Sequence, residues 1–417
     1  MDVIIGAGAT GLTYAARSGR ECLILEADQE IGGYCKTIKQ DGFVWDYSGH
    51  FFHFVDENLK DFIYEQMDMS TVLTCTKNTQ IYYKGSYVDF PFQKNIHQLP
   101  ERQEFLECLY DLFFKEDTQK GDSFKSMLYE KFGRAIAEKF LIPYNEKLYA
   151  CDLNKLDRDA MGRFFPYANI PEIISNFKKA NNSSYNATFT YPRGGAIEYI
   201  NSLASRIDNK CICCNEAVIS INKEHHEVTT TKRTIKYDNL ISTIPFDRLL
   251  SLSNISYDKD IYTYNKVLVF NLGFDKKGTD ITNNWIYFPS KEYIFYRIGY
   301  YDNIFADNRM SLYVEIGFKA DDAVDVESCR QKVLEDLKKV GVITEQSLVS
   351  WHSVIMDPAY VHITRKAIED VKEKKRVLKE ADIYSIGRYG SWTYCSIEDG
   401  MKEADSIAQM LNKKKSV

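Results

Sequence analysis

The sequence lacks features that would place it in several large protein classes. No apolar run approaches the roughly 20 residues that a bilayer-spanning helix needs, so we expect no membrane span. The net charge of -6 and the pI of about 5.8 leave no excess of positive charge for a nucleic-acid surface. No internal repeat or low-complexity segment is present. A soluble protein that does not bind nucleic acid is therefore expected.

The ten cysteines form no paired framework. No secretory leader precedes the apolar residues that follow the initiator methionine, and together these features predict a reducing, cytoplasmic location. The CICC segment at 211–214 lacks a second CxxC or a histidine pair at ligand spacing. We therefore predict a half-buried strand at this segment and no metal.

The chain has 417 residues, which is long enough for two or three structural units with a large pocket between them. Its start reads DVIIGAGATGLTYAARSGRECLILEAD and predicts strand, glycine turn, helix and strand. In this GxGxxG pattern Gly6 permits the turn, Gly8 admits a pyrophosphate, and Gly11 lets helix pack on strand. Glu26 has the spacing of a carboxylate that binds an adenosine ribose. A loop that merely needs glycine is the alternative.

A second glycine pair, Gly32 and Gly33, follows in ADQEIGGYCKT and lets the backbone approach a cofactor again. The arrangement resembles the FAD-binding signature of the flavoprotein superfamily that includes amine oxidases and protoporphyrinogen oxidase. FAD is therefore the predicted cofactor.

The end of the chain predicts a strand, a glycine turn and a helix that starts near Asp399 and Gly400. In the superfamily that the chain resembles, the last helix points its N-terminal end at the flavin, which implies cofactor contacts for Asp399, Gly400 and Met401. An ordinary capped helix is the alternative. Both chain ends are thus predicted to build one FAD domain.

The middle of the chain is predicted to be inserted into that domain. Helix-spaced apolar residues run from about Leu99 to Lys179. Aromatic and β-branched runs between 255 and 356, with a hairpin in QIYYKGSYVDF, predict a mostly antiparallel sheet. The predicted fold class is α/β, a Rossmann-like FAD-binding domain with an inserted helical domain and an inserted antiparallel β-sheet domain. Its boundaries are 1–74, 185–254 and 380–417 for FAD binding, 96–184 for the helices, and 75–95 with 255–379 for the sheet that binds substrate.

Five motifs occur in order along the chain. They read YKGSYVDFPFQKNI, FLIPYNEKLYA, YNATFTYPRGGA, WIYFPSKEYIFYR and IGRYGSWTY. Together they resemble the UDP-galactopyranose mutase family, closest to its eukaryotic-type branch, over Val3 to about Leu411. The resemblance implies interconversion of pyranose and furanose forms of a nucleotide-bound sugar. In that family reduced FAD attacks the anomeric carbon through N5 without net redox change, and NADPH or NADH is the implied reductant.

The resemblance also implies roles for single residues. Arg297 and Arg388 match arginines that pair with the diphosphate, the second one close to the flavin. Surface ion pairs are the alternative for both. Tyrosines that match phosphate contacts are Tyr287, Tyr360 and Tyr394, with packing as the alternative. Residues that match the uracil and ribose pocket are Phe92, Gln93, Asn145 and Asn186, with turn or helix capping as the alternative.

The segment SGHFFHF, residues 48–54, matches a glycine-histidine loop of that family. The match implies that Gly49 allows close approach and that His50 lies against the flavin, where it accepts or relays the proton that N5 loses. A hydrogen-bonded core histidine is the alternative for His50 and for His53.

Departures from the family pattern lie on the nucleotide side. Lys77 stands where eukaryotic-type members have arginine, Phe90 where they have tyrosine, and Tyr149 where many have tryptophan. Arg163 lies one position from the register of a further diphosphate arginine, which leaves Phe164 in that place unless the alignment shifts. The chemistry is therefore better supported than the substrate.

We expect a redox-neutral isomerase that acts on a UDP-sugar, most simply UDP-galactopyranose, and supplies galactofuranose to a glycan. An FAD-dependent oxidoreductase of the amine-oxidase kind is the alternative, and a non-enzymatic FAD scaffold is the third reading. The amphipathic helices leave a homo-oligomer open. The polar link Lys115–Ser123 suggests a loop that closes over substrate.

Overall fold

The computed structural model describes residues 1–114, 121–178, 181 and 187–415, with side chains to residue 413. Asn186 and most of the predicted mobile link at 115–123 lie outside the described residues. The strands are β1 Asp2–Ile5, β2 Cys22–Leu25, β3 Thr37–Gln40, β4 Phe43–Asp46, β5 Val72–Thr76, β6 Thr79–Tyr83, β7 Ser86–Asp89, β8 Thr188–Pro192, β9 Ile212–Cys213, β10 Val218–Asn222, β11 Glu227–Thr230, β12 Thr234–Lys236, β13 Asn239–Ser242, β14 Tyr264–Phe274, β15 Trp285–Tyr287, β16 Arg297–Tyr300, β17 Ser311–Lys319, β18 Leu348–Val361 and β19 Ile383–Ser385.

The α-helices of the described residues separate these strands. They are α1 Ala9–Ser18, α2 Glu57–Tyr64, α3 Arg102–Phe113, α4 Phe124–Ile136, α5 Ile142–Tyr149, α6 Ile170–Lys178, α7 Ile197–Ala204, α8 Phe246–Leu252, α9 Tyr301–Phe305, α10 Val326–Lys339, α11 Arg365–Glu380, α12 Gly387–Gly390 and α13 Ile397–Lys415.

A parallel sheet joins the two ends of the chain. Its strand order is β19-β13-β1-β2-β9, and every neighbouring pair is parallel. All four residues of β1 are buried, as expected of a central strand covered on both faces. The first helix, α1, packs against the last helix, α13. The predicted α/β fold class is confirmed.

A larger sheet carries the inserted aromatic segments. Its strand order is β18-β14-β17-β16-β15-β6-β7, and every pair is antiparallel except the parallel pair of β15 and β6. The predicted hairpin in QIYYKGSYVDF is confirmed as β6 and β7. The helix α10 covers one face, where Cys329, Val333 and Leu337 pack against the sheet.

The helical insertion is interrupted where the apolar periodicity suggested a continuous helix. Gly133, near the end of α4, has φ 75° and ψ 173°, and a Cβ there would lie 2.6 Å from the Asp111 carbonyl oxygen. A π-helical turn, Ala137–Leu141, then precedes α5, whose first turn contains Pro143. The glycine therefore admits the close approach of α3, and the chain changes direction.

The helix α11 packs on a different sheet from the one to which the predicted domain boundary assigned it. The boundary at 379/380 placed α11 with the antiparallel sheet, but α11 packs against β19 of the parallel sheet. Its Ala367, Val371 and Leu378 share one core with Val3 and Ile5 of β1. The amphipathic face of α11 is thus buried by the FAD-type sheet, because that sheet needs cover on both faces.

The CICC segment lies at the edge of the parallel sheet. The CICC segment forms the half-buried strand β9, and all ten cysteines are free thiols. Within the described ranges, no group of three or more His, Cys, Asp or Glu side chains could hold a metal ion. No helix in those ranges has both the length and the apolar character needed to cross a bilayer.

Asp46 anchors the segment that leads into the glycine-histidine loop. Its carboxylate is fully buried and accepts hydrogen bonds from the Thr37 hydroxyl at 2.5 Å and the Tyr191 hydroxyl at 2.7 Å. The amide of Ala196 donates to it at 3.1 Å, and the Asp46 carbonyl accepts from Asn271 at 2.9 Å. Burial raises the pKa of Asp46 to about 7. One acidic residue thus ties four parts of the chain together.

This buried acid predicts a pH-dependent stability. The folded state retains the Asp46 proton up to about pH 7, whereas the unfolded state releases it near 3.8, so folding stability falls as pH rises between these values. The maximal loss is about 4 kcal/mol. We expect Asp46→Asn to become less destabilising, relative to the parent protein, between pH 5 and pH 8 in denaturant titrations. The exposed Asp61→Asn should show no such trend, and a pH-independent effect of Asp46→Asn would contradict the assignment.

Candidate active site

Two cavities meet between the parallel sheet and the insertions. The larger, of about 770 Å³, opens at the carboxyl ends of β1, β2, β13 and β19, where α/β sheets bind their ligands. Predicted cofactor residues on its lining are Gly6, Gly8, Glu26, Gly32, Gly33, Gly49, Arg388 and Gly400. We refer to it as the glycine cavity.

Two glycine turns form one wall of the glycine cavity. Gly6 has φ 102°, and a Cβ there would lie 2.3 Å from the Thr243 hydroxyl. A Cβ on Gly8 would lie 4.0 Å from the Cα of Gly33, so the two turns face each other closely. Side chains at these positions would fill the cradle between the turns. The absence of side chains therefore fits a ligand held by backbone groups.

The groups around this cradle fit the two ends of a dinucleotide. The N-cap of α1 is Gly8, and no side chain caps the helix, so its first-turn N–H groups and dipole are available to a pyrophosphate. The Glu26 carboxylate accepts from the amides of Ala7 at 2.8 Å and Asp28 at 2.9 Å, which fixes its direction toward the cavity. These residues fit FAD.

Three predicted cofactor residues have other contacts. Gly11 lies in the first turn of α1, where a Cβ would be 2.1 Å from the Gly6 carbonyl oxygen, so it serves the predicted helix-to-strand packing. The side chain of Asp399 accepts from the amide and hydroxyl of Ser396, both at 2.9 Å. Met401 is fully buried in the core. These residues support the cavity from behind its lining.

The smaller cavity, of about 560 Å³, lies between the helical insertion and the antiparallel sheet. Phe51, Phe189 and Trp285 form an aromatic wall, with the Phe51 and Trp285 rings stacked at 5.6 Å. We refer to it as the aromatic cavity. Predicted substrate residues on its lining are Lys77, Phe90, Asn145, Arg163, Tyr287, Arg297, Tyr360 and Tyr394.

Three predicted substrate residues lie behind this lining. Phe92 is fully buried and stacks on Phe140 at 5.1 Å. The Gln93 amide is buried and donates to the Pro166 carbonyl. Tyr149 is buried edge-on against Tyr360 at 5.9 Å. Core packing therefore uses these side chains, and they do not line the aromatic cavity.

Positive charges approach the aromatic cavity from two sides. Burial lowers the pKa of the Lys77 ammonium to about 8, and this group lies 5.3 Å from the centre of the Phe90 ring. Arg163 pairs with Asp399 at 2.6 Å and lies over the ring of its neighbour Phe164 at 5.0 Å. Arg163 and Phe164 both line the cavity. Arg163 can therefore reach the cavity although the family register puts Phe164 at the position of the further diphosphate arginine.

The two cavities share a wall that contains every predicted catalytic residue. Residues common to both linings include Gly49, His50, Arg297, Tyr360, Arg388 and Tyr394. The glycine-histidine loop contributes the first two, the antiparallel sheet the next two, and the chain end the last two. The family resemblance implied that His50, Arg297 and Arg388 lie close together, whereas no local sequence pattern did, and the tertiary fold brings them to one boundary.

Arg297 is held by a carboxylate that the sequence reading missed. Its Nε and Nη2 donate to the two oxygens of Glu315, each at 2.6 Å, across the β16–β17 pair. Glu315 is 1% exposed, and the Ser48 hydroxyl also donates to it. This bidentate pair balances the buried guanidinium and leaves Nη1 for another acceptor. A charged residue inside the apolar run MSLYVEIGF was the available signal.

Arg388 lies over two tyrosines. Its guanidinium is 5.1 Å from the Tyr360 ring centre and 4.8 Å from that of Tyr394, and the two rings stack at 6.0 Å. Its Nη1 donates to the Cys395 carbonyl at 3.0 Å. Burial raises the pKa of the Tyr360 and Tyr287 hydroxyls, so both stay protonated and able to donate to an anion. The arrangement suits a buried, negatively charged ligand.

His50 is enclosed at the boundary and stays neutral. Burial lowers its pKa to about 4, and the nearby Arg388 and Arg297 act in the same direction, against Glu315. Its Nδ1 is buried without a hydrogen-bond partner among the described residues. A buried ring nitrogen of this kind normally has a partner, so the position fits a ligand group at the cavity boundary.

Gly49 has a structural task that the sequence did not show. A Cβ there would lie 2.5 Å from the Tyr313 hydroxyl oxygen. The same ring also fills the space where a Cβ of Gly299 would lie, 1.9 Å from a ring carbon. Gly49 therefore admits the Tyr313 ring, which lines the aromatic cavity beside the loop.

The last helix directs its N-terminal end at the cavity boundary. It begins at Ile397, before the predicted start near Asp399, because Ser396 and Asp399 cap it reciprocally. Ser396 and Ile397 line both cavities. Glu398 accepts from the amides of Val55 and Asp56, each at 2.7 Å, and so fastens the end of the histidine loop. The helix dipole thus favours negative charge at the boundary.

A family comparison agrees with this geometry. Residues 9–365 match the family described as flavin containing amine oxidoreductase. The chain belongs to this family. Its cofactor is a flavin, which the cradle described above fits. A curated relative, the inactive all-trans-retinol 13,14-reductase of Danio rerio, is 34% identical over 92 residues, which is 21% of this chain and 14% of that protein.

Several solved structures share the fold. A reduced UDP-galactopyranose mutase superposes with a TM-score of 0.91 and 23% identity, over 99% of this chain and 93% of that chain. A putative protoporphyrinogen oxidase from Exiguobacterium sp. gives 0.78 and 17%, over 99% and 98%. Cyclohexylamine oxidase from Brevibacterium oxydans gives 0.69 and 14%, over 99% of each chain. At these identities the likenesses establish the fold of this family member.

Removing one member of the Arg297–Glu315 pair should destabilise the protein much more than removing both. Glu315→Gln leaves a buried guanidinium uncompensated and should lower the free energy of unfolding by about 3 to 5 kcal/mol. Replacing both residues by methionine removes both charges and should recover most of that loss. Denaturant titration measures both. Asp405→Asn, which breaks the more exposed Arg17–Asp405 pair, is the control and should cost about 0 to 1 kcal/mol.

Proposed function

We propose that this protein is a flavin-dependent nucleotide-sugar mutase that interconverts the pyranose and furanose forms of a UDP-sugar, most simply UDP-galactose. The observation that carries the proposal is the shared wall, where two arginines and two tyrosines, Tyr360 and Tyr394, lie between the glycine cavity and the aromatic cavity. A dianionic diphosphate needs such cationic and hydroxyl donors close to the flavin. The likeness to the reduced UDP-galactopyranose mutase supports the same reading.

FAD bound in the glycine cavity would supply, in its reduced form, the nucleophile for the anomeric carbon. The residues of the chain would hold the substrate for that attack. The free Nη1 of Arg297 and the guanidinium of Arg388 would pair with the departing diphosphate, and the protonated hydroxyls of Tyr287 and Tyr360 would donate to it. Neutral His50 would offer Nδ1 as a hydrogen-bond partner to a bound group at the boundary. The aromatic wall would exclude water while the sugar is detached from its nucleotide.

An oxidoreductase of the amine-oxidase kind is the second candidate. The family match and the stacked rings of Phe51 and Trp285 favour it, because an aromatic cage suits an amine or another apolar substrate. The two buried arginines of the shared wall count against it, since an uncharged or cationic substrate gives them no partner. The two candidates differ in whether the flavin is consumed as a redox reagent.

Incubation with UDP-galactofuranose decides between them. We expect conversion to the pyranose form when the flavin is chemically reduced, no conversion in air, and no stoichiometric consumption of reductant, all followed by chromatography. Peroxide formation with an amine substrate, and no turnover of any sugar nucleotide in a panel of UDP-, GDP- and TDP-sugars, would replace the proposal by the oxidase. Reduction by NADPH or NADH is tested in the same assay by replacing the chemical reductant.

Arg388 provides a residue-level prediction for this reaction. Arg388→Ala should lower turnover by about 10² to 10³, because the developing charge on the diphosphate loses a preorganised cation. Arg330→Ala, which removes a surface arginine paired with Glu327, should leave turnover unchanged. Steady-state kinetics under reducing conditions measure both. Parental turnover of Arg388→Ala with full flavin content would place the diphosphate elsewhere.

A further inference from the structure

The ammonium group of Lys147 is surrounded by main-chain oxygens. Its Nζ donates to the carbonyls of Phe288 at 2.9 Å, Ser290 at 2.8 Å, Tyr293 at 2.9 Å and Phe295 at 2.5 Å. All four belong to the connection between β15 and β16, which we name the 288–296 turn. An ammonium has three N–H groups, so four acceptors share them. Lys147 therefore lies at the centre of a carbonyl cage.

Charge is the property that this cage requires. Four carbonyl dipoles directed at one point repel one another, and without a cation at the centre they would be left without donors. Rings of carbonyl oxygens are how proteins replace the hydration shell of a monovalent cation. Burial lowers the pKa of Lys147 to about 7, and the charge of Asp336 acts in the opposite direction. Hydrogen bonds to the charged form of a group also favour that form, and the four carbonyls accept such bonds from the ammonium.

The turn is held from its other side by a carboxylate. The Ile294 amide donates to the Asp336 side chain at 2.9 Å, and Asp336 lies on α10. Lys332 donates to the same carboxylate at 2.7 Å. The main chain of Phe288 also donates to the Tyr296 carbonyl at 2.9 Å. The 288–296 turn is thus a fixed structure with Lys147 at its centre.

This turn connects two residues of the aromatic cavity. Tyr287 precedes it and Arg297 follows it, and both line the cavity. Lys147 belongs to α5, whose Tyr144 and Asn145 line the same cavity. The Tyr144 and Tyr287 rings meet edge to face at 5.0 Å. A change in the turn would therefore change the positions of Tyr287 and Arg297 relative to α5.

We propose that Lys147 is a positioning residue whose ammonium acts as a built-in monovalent cation, which organises the 288–296 turn and fixes Tyr287 and Arg297 relative to α5 for binding of the nucleotide diphosphate. The identity of that ligand rests on the proposed function. The role of the ammonium in ordering the turn is independent of the proposed function.

Chemical rescue tests the cation role directly. Lys147→Ala leaves space in the cage, so we expect a lower Tm, faster amide hydrogen exchange in the 288–296 turn, and a roughly tenfold weaker affinity for UDP, with flavin content unchanged. Ethylammonium or potassium ions should recover part of all three. Tetramethylammonium, which has no N–H group and is larger, should recover none. If the variant folds only in the presence of ethylammonium, its unfolding when that ion is removed also demonstrates rescue by the cation.

Two further variants separate charge from packing. Lys147→Met fills the cage without charge, and we expect the same losses with no rescue by any cation. Lys291→Ala lies on the same turn and removes only a surface pair with Glu146, so it should leave all readouts unchanged. Parental Tm, exchange and UDP affinity in Lys147→Met would overturn the proposal. A weakened Lys147→Ala that no small cation restores would overturn it too.

The readouts also separate this proposal from the proposed function. If the parent protein does not bind UDP, the mutase assignment fails, while Tm and hydrogen exchange of the 288–296 turn still decide whether Lys147 acts as a cation. If the parent binds UDP and the exchange of the turn is unaffected in Lys147→Ala, the positioning role fails and the mutase assignment stands.

Discussion

The structure depends on placing positive charge in the wall between the glycine cavity and the aromatic cavity, with a partner for that charge. Arg297 is kept there by the bidentate contact with Glu315, which is itself buried and bonded to Ser48. Taking two charges out of water is favourable only when geometry and further hydrogen bonds offset the desolvation. The pair meets that condition and still leaves one guanidinium nitrogen for a ligand. Arg388, which donates to the neutral Cys395 carbonyl, adds a second positive charge to the same boundary.

The neighbouring elements are arranged around the same constraint. Asp46 fastens the start of the glycine-histidine loop, and Glu398 fastens its end. The Tyr313 ring packs closely against the loop at Gly49. On the far side, Lys147 orders the turn from which Arg297 begins its strand. Buried charged and polar groups, each satisfied by several partners, thus give the boundary its shape.

Much of the fold was accessible from local sequence. The glycine turn after β1, the hairpin in QIYYKGSYVDF and the strand at 212–213 were predicted, since each depends on periodicity or turn residues over a few positions. The break at Gly133 and the packing of α11 on β19 were not, because both depend on which distant element covers an apolar face. Similarly, Phe92, Gln93 and Tyr149 carry side chains of the right type, but the core uses them.

The sequence by itself determined the parallel sheet with its glycine cradle, the order of the aromatic strands and most of the polar residues that reach the cavities. Short segments determine those properties, because hydrophobic spacing and glycine placement act over a few residues. Only the tertiary structure decided that His50, Arg297 and Arg388, which lie up to hundreds of residues apart, occupy one wall, and that Glu315 and Lys147 support it. Long-range charge pairing and desolvation set these contacts, and neither has a signature within a few residues of chain.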